Sequence, residues 1–488
     1  MGPILCAIGL LLPALAIADG YEAAQVVVNL QPGHVIEEVN SVWGTTTLDA
    51  YPEGNLYLLD ATGLGDVEGL ASQMETDPAI LEAEANYFHD TPETIRQMVI
   101  VIVGGGYVDY EDQSIGPRIG LDAAHLMSRG AGVTVAVLDT GVDPAHEAIQ
   151  AKLSPFGYDF VDDDGSPWEI ANGLDEDQDG VADEGYGHGT MVAGIVALVA
   201  PDATLLPVRV LSDEGNGDAY QIAKGISYAV NQGAHVLNMS FGVPRGVAVI
   251  RHQLELARDH GIIVVAGAGN DNLEQLYYPA GTEEAEMVTA VDSLDTKAAF
   301  ADWHSKVLVS APGTGVRSSY PGGLWAMGAG CSFATPFVAG EAALIRSLLP
   351  LVTPEVVRLR IESAVDPIDQ IPGNDPYQGK LGSGRIYLPA ALAGIAAVGD
   401  GILAREHLLA VPNPSAGDVR IIVPESLGEL DVRIFDAAGR LVRVLGRSNR
   451  PVWDGRDQAA RLVSPGTYFV RVAADEAALG SRVSILPR

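Results

Sequence analysis

VTVAVLD, residues 133–139, is an apolar run of strand length that ends in a carboxylate. Apolar side chains follow one another without alternation, so both faces of such a strand must be buried, as in a parallel sheet covered by helices on both sides. Working outward, TLLPVRVL (204–211), AHVLNMS (234–240) and GIIVVAGAG (261–269) repeat the plan. Between them lie helical periods, DAYQIAKGISYAVNQ (218–232) and AVIRHQLELARDH (248–260). Strands alternating with helices predict an α/β fold. In open sheets of this kind ligands gather beyond the carboxyl ends of the strands, where Asp139, Ser240 and Asn270 all fall.

Three short stretches carry chemistry in a fixed order: Asp139 in AVLDTGVD, His188 in GYGHGTMVAGIVA and Ser332 in GAGCSFATPFVAG. A free serine hydroxyl is a poor nucleophile. His188 would take its proton and later give it to the leaving amine, while Asp139 would fix the imidazole tautomer and stabilise the imidazolium. Any one of these stretches alone is more often a turn or a helix start; together, in the order Asp, His, Ser, they point to a catalytic triad. A lipase-type nucleophile elbow is disfavoured, because GCSFA lacks the final Gly of G-x-S-x-G.

These stretches, with RIGLDAAHLMSRGAGVTVAVLDTGVD, VLNMSFG, IIVVAGAGNDN and APGTGVRSSYPGG, resemble the subtilisin-like serine proteases over residues 115–395. The resemblance implies a subtilisin-like parallel sheet with helices on both faces and a serine endopeptidase that hydrolyses peptide bonds through a Ser332 acyl-enzyme. It implies that Asn270 is the side-chain donor to the oxyanion, with the Ser332 backbone N–H as the second donor. Polypeptide substrate would lie between Ser240, Phe241 and Gly242 on one side and Gly267, Ala268 and Gly269 on the other, with Tyr277 at the pocket floor. No cofactor is expected for the chemistry. The sequence departs from the family pattern at Cys331, Phe333 and Phe337, where Thr, Met and His are usual. A rival reading is a non-catalytic surface or adhesion protein that keeps a protease scaffold. Retention of Asp139, His188, Ser332 and Asn270 together counts against it.

At 488 residues the chain is long enough for two to four domains. It carries 64 Asp and Glu against 29 Lys and Arg, a net charge of −35, which opposes attraction to nucleic acid or an anionic membrane. MGPILCAIGLLLPALAIADG opens the chain with an apolar run and the small-residue site Ala16-Ile17-Ala18, so residues 1–18 are expected to be a signal peptide and the protein to be exported, extracellular or on the cell surface. Residues 19–114 comprise a small α+β unit and a maturation segment. The unit, with its AEANY ending, resembles the N-terminal propeptides of subtilisin-like precursors, which act as folding template and inhibitor; a permanent accessory domain is the alternative. The peptidase domain is expected over 115–395, a linker over 396–408 and a β-sandwich over 409–488. That last segment has 11 Arg against nine acidic residues, and PNPSAG, IFDAAGRLV, WDGRD and SPGTYFVRV resemble the Ig-like C-terminal domains of the type IX sorting and flagellar hook-capping kinds. A partner in secretion or cell-surface machinery is implied.

The stretch between Asp139 and His188 is acidic. Asp175, Asp177 and Asp179 followed by Gly180 fit the D-x-D-x-D-G start of a calcium loop, and Asp183 stands at its ninth position. Tyr186 occupies the place of the bidentate Glu of an EF-hand, so the loop is incomplete in that form. Structural calcium is the expected cofactor here.

Overall fold

The computed structural model describes residues 21–91, 100–175 and 180–393, together with 409–411, 419–422, 430–436, 440–448, 451–474 and 477–485. The expected signal peptide, the linker over 396–408, and the calcium residues Asp177 and Asp179 lie outside the described residues. The chain divides into two units, residues 1–394 and 395–488.

The apolar runs become the central sheet. Among the described residues it has nine strands, in the order β16-β17-β13-β12-β11-β10-β6-β8-β7. Its middle is formed by β6 (Thr134–Asp139), β8 (Thr204–Arg209), β10 (Val236–Met239), β11 (Ile263–Gly267), β12 (Ala285–Val291) and β13 (Val309–Pro312). These pair in parallel. The short β7 (Tyr158–Asp159), β16 (Val365–Asp366) and β17 (Arg385–Ile386) finish the edges. Every residue of β10 and β11 is buried, as the unbroken apolar runs require. Each such Val or Leu contributes about 1.5–3 kcal/mol on burial.

Helices α3 (His188–Val199) and α6 (Cys331–Leu348) pack together on one face of this sheet, and α4 (Ala219–Asn231) and α5 (Ala248–Asp259) pair on the other. Helix α4 starts where its sequence says it should. Asp218 accepts from the Gln221 N–H while the Gln221 side chain bonds back to the Asp218 N–H, a capping box. Among the described residues, no helix is long and apolar enough to cross a membrane.

The N-terminal unit is antiparallel. Strands β1 (Tyr21–Leu30), β2 (Thr46–Tyr51), β3 (Leu56–Asp60) and β4 (Ile80–Asp90) run in the order β2-β3-β1-β4, with α1 (Ile36–Trp43) and α2 (Val67–Met74) between them in sequence. Alternation along β1 divides its side chains between two cores. Val26, Val28 and Leu30 join Val39 and Met74 inside the unit, whereas Val27 belongs to the core of the peptidase domain. The sheet therefore lies against α4 and α5.

That docking is polar at its key points. Glu84 Oε2 accepts from the Ala248 N–H at 2.7 Å and Asn86 Oδ1 from the Tyr220 N–H at 3.1 Å, so two side chains of β4 satisfy the first amides of α5 and α4. Beyond them β4 adds to β9 (Asn216–Asp218), pairing Phe88 with Asp218, His89 with Gly217 and Asp90 with Asn216. The chain is caught again at β5 (Val101–Val103), which pairs with β15 (Leu324–Gly328), the partner of β14 (Val316–Tyr320).

The C-terminal unit is all β among its described residues. Strands β18 (Leu409–Val411), β19 (Val419–Ile422) and β22 (Val452–Trp453) form one sheet; β20 (Leu430–Asp436), β21 (Leu441–Ser448), β23 (Gly466–Ala474) and β24 (Ala477–Ile485) form another, in the order β21-β20-β23-β24. Val419, Ile421, Val432, Ile434, Trp453, Tyr468 and Val470 make its core.

Candidate active site

Asp139 is the last residue of β6, His188 the first of α3 and Ser332 the second of α6. Sheet ends and helix starts thus converge at one edge. His188 Nδ1 donates to Asp139 Oδ1 at 2.7 Å, and both side chains are buried. The Thr140 N–H also donates to Asp139 Oδ1, at 2.8 Å, which fixes the carboxylate plane. Close backbone approach makes this possible. A Cβ on Gly189 would meet the Gly141 carbonyl oxygen at 2.1 Å, and Gly187, at φ +92°, lies against the Tyr320 ring.

The residue after Ser332 lies against the imidazole. The rings of His188 and Phe333 are 5.5 Å apart between centroids. Helix α6 contains Pro336, which has no N–H to give to the Ser332 carbonyl four residues earlier. Ser240 Oγ donates to that carbonyl instead, at 2.9 Å, and itself accepts from Asn238 Nδ2 at 3.0 Å. Asn270 follows β11, and its Oδ1 accepts from the Cys331 N–H at 2.9 Å. A backbone N–H can only donate, so the bond sets which end of the carboxamide is oxygen and turns Nδ2 to the opposite side.

A buried nucleophile-type hydroxyl, an imidazole held by a carboxylate and a carboxamide beside the same helix start are the parts of an acyl-transfer site. The sequence profile described as the subtilase family matches residues 130–384, more than half of the chain. Thermitase from Thermoactinomyces vulgaris is 36% identical over 249 residues, which cover 49% of this chain and 84% of that protein. The chain belongs to the subtilase family. It is a subtilisin-like serine endopeptidase that acts on polypeptides. Subtilisin E from Bacillus subtilis (strain 168) is 35% identical over 264 residues, covering 51% of this chain and 64% of that protein. Among solved structures, fervidolysin from Fervidobacterium pennivorans, described as a keratinolytic enzyme related to subtilisin, superposes with a TM-score of 0.62 at 19% identity over 97% of this chain and 77% of that one. The shared fold thus extends beyond the peptidase domain. The expected subtilisin-like α/β architecture is the observed one.

In the peptidase, Ser240, Phe241 and Gly242 leave the end of β10, and Gly267, Ala268 and Gly269 that of β11, its neighbour in the sheet. The Phe241 side chain is buried in the core. Tyr277 is also buried, its ring wedged between the two segments, since a Cβ on Gly242 or on Gly269 would meet it at 3.0 Å or 2.9 Å. Cys331, Phe333 and Phe337 are all fully buried, so the departures from the usual residues fill the core around α6.

Glu169 was not singled out by the sequence. Its carboxylate accepts from the Thr140 and Thr190 hydroxyls and from the N–H groups of Gly187 and Gly189, both at 3.1 Å. Burial pushes it up to about 7, against the pull of the two threonine bonds. Only its place distinguishes it from the other acids of that loop.

Among the described residues, no group of three or more His, Cys, Asp or Glu is arranged to hold a metal ion. Asp175 Oδ2 accepts from the Gly180 N–H at 3.1 Å, while its Oδ1 is buried and has no hydrogen-bond partner among the described residues. Asp183 accepts from the N–H groups of Asn172 and Gly173, at 2.8 and 2.9 Å. A buried, unpartnered carboxylate oxygen fits a cation.

Proposed function

We propose that Ser332 is the nucleophile of this endopeptidase, His188 its general base and later general acid, Asp139 the group that fixes the imidazole, and Asn270 with the Ser332 N–H the oxyanion donors. The 2.7 Å bond from His188 Nδ1 to Asp139 Oδ1 carries this reading, because it commits Nε2 to the proton of the nucleophile. Ser332 Oγ attacks the scissile carbonyl and His188 takes its proton. Collapse of the tetrahedral intermediate expels the amine, which receives that proton, and leaves an acyl-enzyme for water to hydrolyse. Fluorophosphonate is expected to label the mature enzyme, and the label to vanish in His188→Ala. Undiminished labelling of that variant would remove His188 from the mechanism.

Residues 21–91 act as template and inhibitor in a precursor. Two observations support this reading: Phe88–Asp90 add to the β9 edge as an antiparallel strand, the main-chain mode in which extended peptides bind, and Glu84 and Asn86 cap the helices beside it. Each cap of this kind contributes about 0.5–2 kcal/mol. Export directed by residues 1–18, and attachment or sorting through the C-terminal sandwich, complete the proposed life of the chain.

Structural calcium binds the acidic loop through Asp175, Asp177, Asp179 and Asp183, supported by the buried Asp175 Oδ1, which has no hydrogen-bond partner among the described residues. When bound, the ion neutralises converging carboxylates and stiffens the loop; it takes no part in the chemistry. A hundredfold excess of ligand over Kd stabilises by about 2.7 kcal/mol, so a chelator should lower the Tm by several degrees. The Ser332→Ala protein is the one to melt, since it cannot digest itself. Exchanging Asp177 and Asp179 for Asn should abolish most of the response. An unmoved midpoint on chelation would leave the loop a solvated surface.

A further inference from the structure

Helix α3 begins with His188 but lacks a capping side chain, because its N-cap is Gly187. The amides at its start are satisfied from outside by Glu169, whose Oε1 accepts from the Gly187 and Gly189 N–H groups and whose Oε2 accepts from the Thr190 N–H at 3.3 Å. Two threonine hydroxyls add to this. Thr140 donates to Oε1 and Thr190 to Oε2. Each hydroxyl also accepts a backbone proton from the opposite element: Thr140, which follows Asp139, from the Gly189 N–H at 2.9 Å, and Thr190, on α3, from the Asp143 N–H at 2.8 Å. A hydroxyl has one proton to give, and for both threonines Glu169 is the near acceptor; Asp139 Oδ1 stands farther from the Thr140 hydroxyl, at 3.4 Å. The loop after Asp139 and the helix start at His188 are thereby cross-bonded twice, with one carboxylate as the common acceptor.

Glu169 is held there by main chain. Its N–H donates to the Val142 carbonyl at 3.1 Å, the Val142 N–H donates to the Pro167 carbonyl at 3.0 Å, and a Cβ on Gly141, at φ +105°, would meet Pro167 O at 2.9 Å. The residue is half-buried, and the carboxylate is its enclosed end.

We propose that Glu169 is a positioning residue of the peptidase, which acts through Thr140, Thr190 and the first amides of α3 to hold Asp139 and His188 at their 2.7 Å contact. The proposal rests on the triad assignment above. It assigns Glu169 no contact with substrate. A carboxamide cannot replace it, since five donors converge on its two oxygens and at least two of them would face an NH₂ group.

The charge matters as well as the shape. Facing Glu169 are Asp139 at the end of β6, Tyr186 before α3, His188 at the head of α3, and Tyr320 on β14; Asp143, in the loop beyond β6, faces Tyr186. His188 is the one basic group in this set. Negative charge on Glu169 favours its imidazolium, so removing that charge should let the imidazole stay neutral at lower pH, and the acid limb of kcat should move down. In the wild type, Glu169 itself loses its charge as pH falls through about 7, so the limb belongs to a coupled pair.

The test measures kcat and KM against pH for the full chain after self-processing, per site titrated with fluorophosphonate, so that misfolded molecules do not count. Glu169→Gln should lower the plateau kcat by about 10- to 100-fold, the range in which outer partners of an active group act, with KM within about threefold and the acid limb shifted to lower pH. Glu169→Asp keeps the charge and shortens the reach, so the plateau should fall while the limb stays. Should Glu169→Gln fail to mature, Thr190→Val provides a second readout, because it removes one clamp donor and leaves the charge: a lower plateau with an unmoved limb is expected. Wild-type plateau and limb per titrated site, in either Glu169→Gln or Thr190→Val, would overturn the proposal. Persistent labelling in His188→Ala would overturn the triad assignment and this proposal with it, whereas the plateau and limb results bear on Glu169 alone.

Discussion

Ser332→Ala is expected to accumulate as the intact precursor, less any signal peptide, in a host deficient in proteases. Loss of the nucleophile from a triad of this type lowers turnover by about 10⁶, so a cleavage completed in minutes would take years. Binding should survive. The β4 strand remains paired with β9, the helix caps from Glu84 and Asn86 remain, and ion pairs such as Lys224 with Asp49 (2.8 Å) and Arg245 with Glu68 (2.7 Å) still tie the N-terminal unit to α4 and to the chain before α5. The variant therefore tests cleavage separately from docking. In the active protein, N-terminal sequencing of the mature form should place the cut between Thr91, whose N–H bonds the Gly215 carbonyl at 2.8 Å, and Val101, the first residue held by β15. Normal processing of Ser332→Ala would mean that another enzyme makes the cut.

Legibility of this chain followed how local the cause of each element is. VTVAVLD, AHVLNMS and GIIVVAGAG became β6, β10 and β11 because unbroken apolar runs have nowhere to go but a sheet covered on both faces. The helix read over 218–232 runs from Ala219 to Asn231, its start fixed by the Asp218 and Gln221 capping pair that the sequence itself supplies. Strand β9 was not legible, since Asn216, Gly217 and Asp218 have poor strand propensity and are extended because β4 pairs with them. The apolar segment at β5 was not legible as a strand for a related reason. Val101 and Ile102 remain exposed, and only pairing with β15 makes the segment a strand. The proposed triad could be read from short motifs because Asp139, His188 and Ser332 each sit at the end of a regular element. Glu169 could not, because Asp162, Asp163 and Asp164 offer the same chemistry a few residues away, and only the fold decides which carboxylate meets the start of α3.

Asn270→Ala should lower kcat by about 10²–10³ while leaving KM within a few-fold. The size follows from when the bond is made. A ground-state carbonyl needs little from Asn270, whereas the tetrahedral oxygen carries a full negative charge in a site that excludes water, so the donor acts mainly in the transition state. The geometry favours a large effect, because the carboxamide cannot rotate to serve another partner while its Oδ1 holds the Cys331 N–H at 2.9 Å. Asn270→Asp sharpens the test. It has nearly the same shape and can still accept from Cys331, but it presents an acceptor where a donor is needed and adds charge of the wrong sign. Its loss in kcat should equal or exceed that of Asn270→Ala, although its packing is closer to native. Stopped-flow acylation with a chromogenic ester separates the two readouts, since acylation rate and substrate affinity are fitted independently. A rise in KM at constant kcat would place the oxyanion donor elsewhere and leave Asn270 as a brace for the helix start at Cys331.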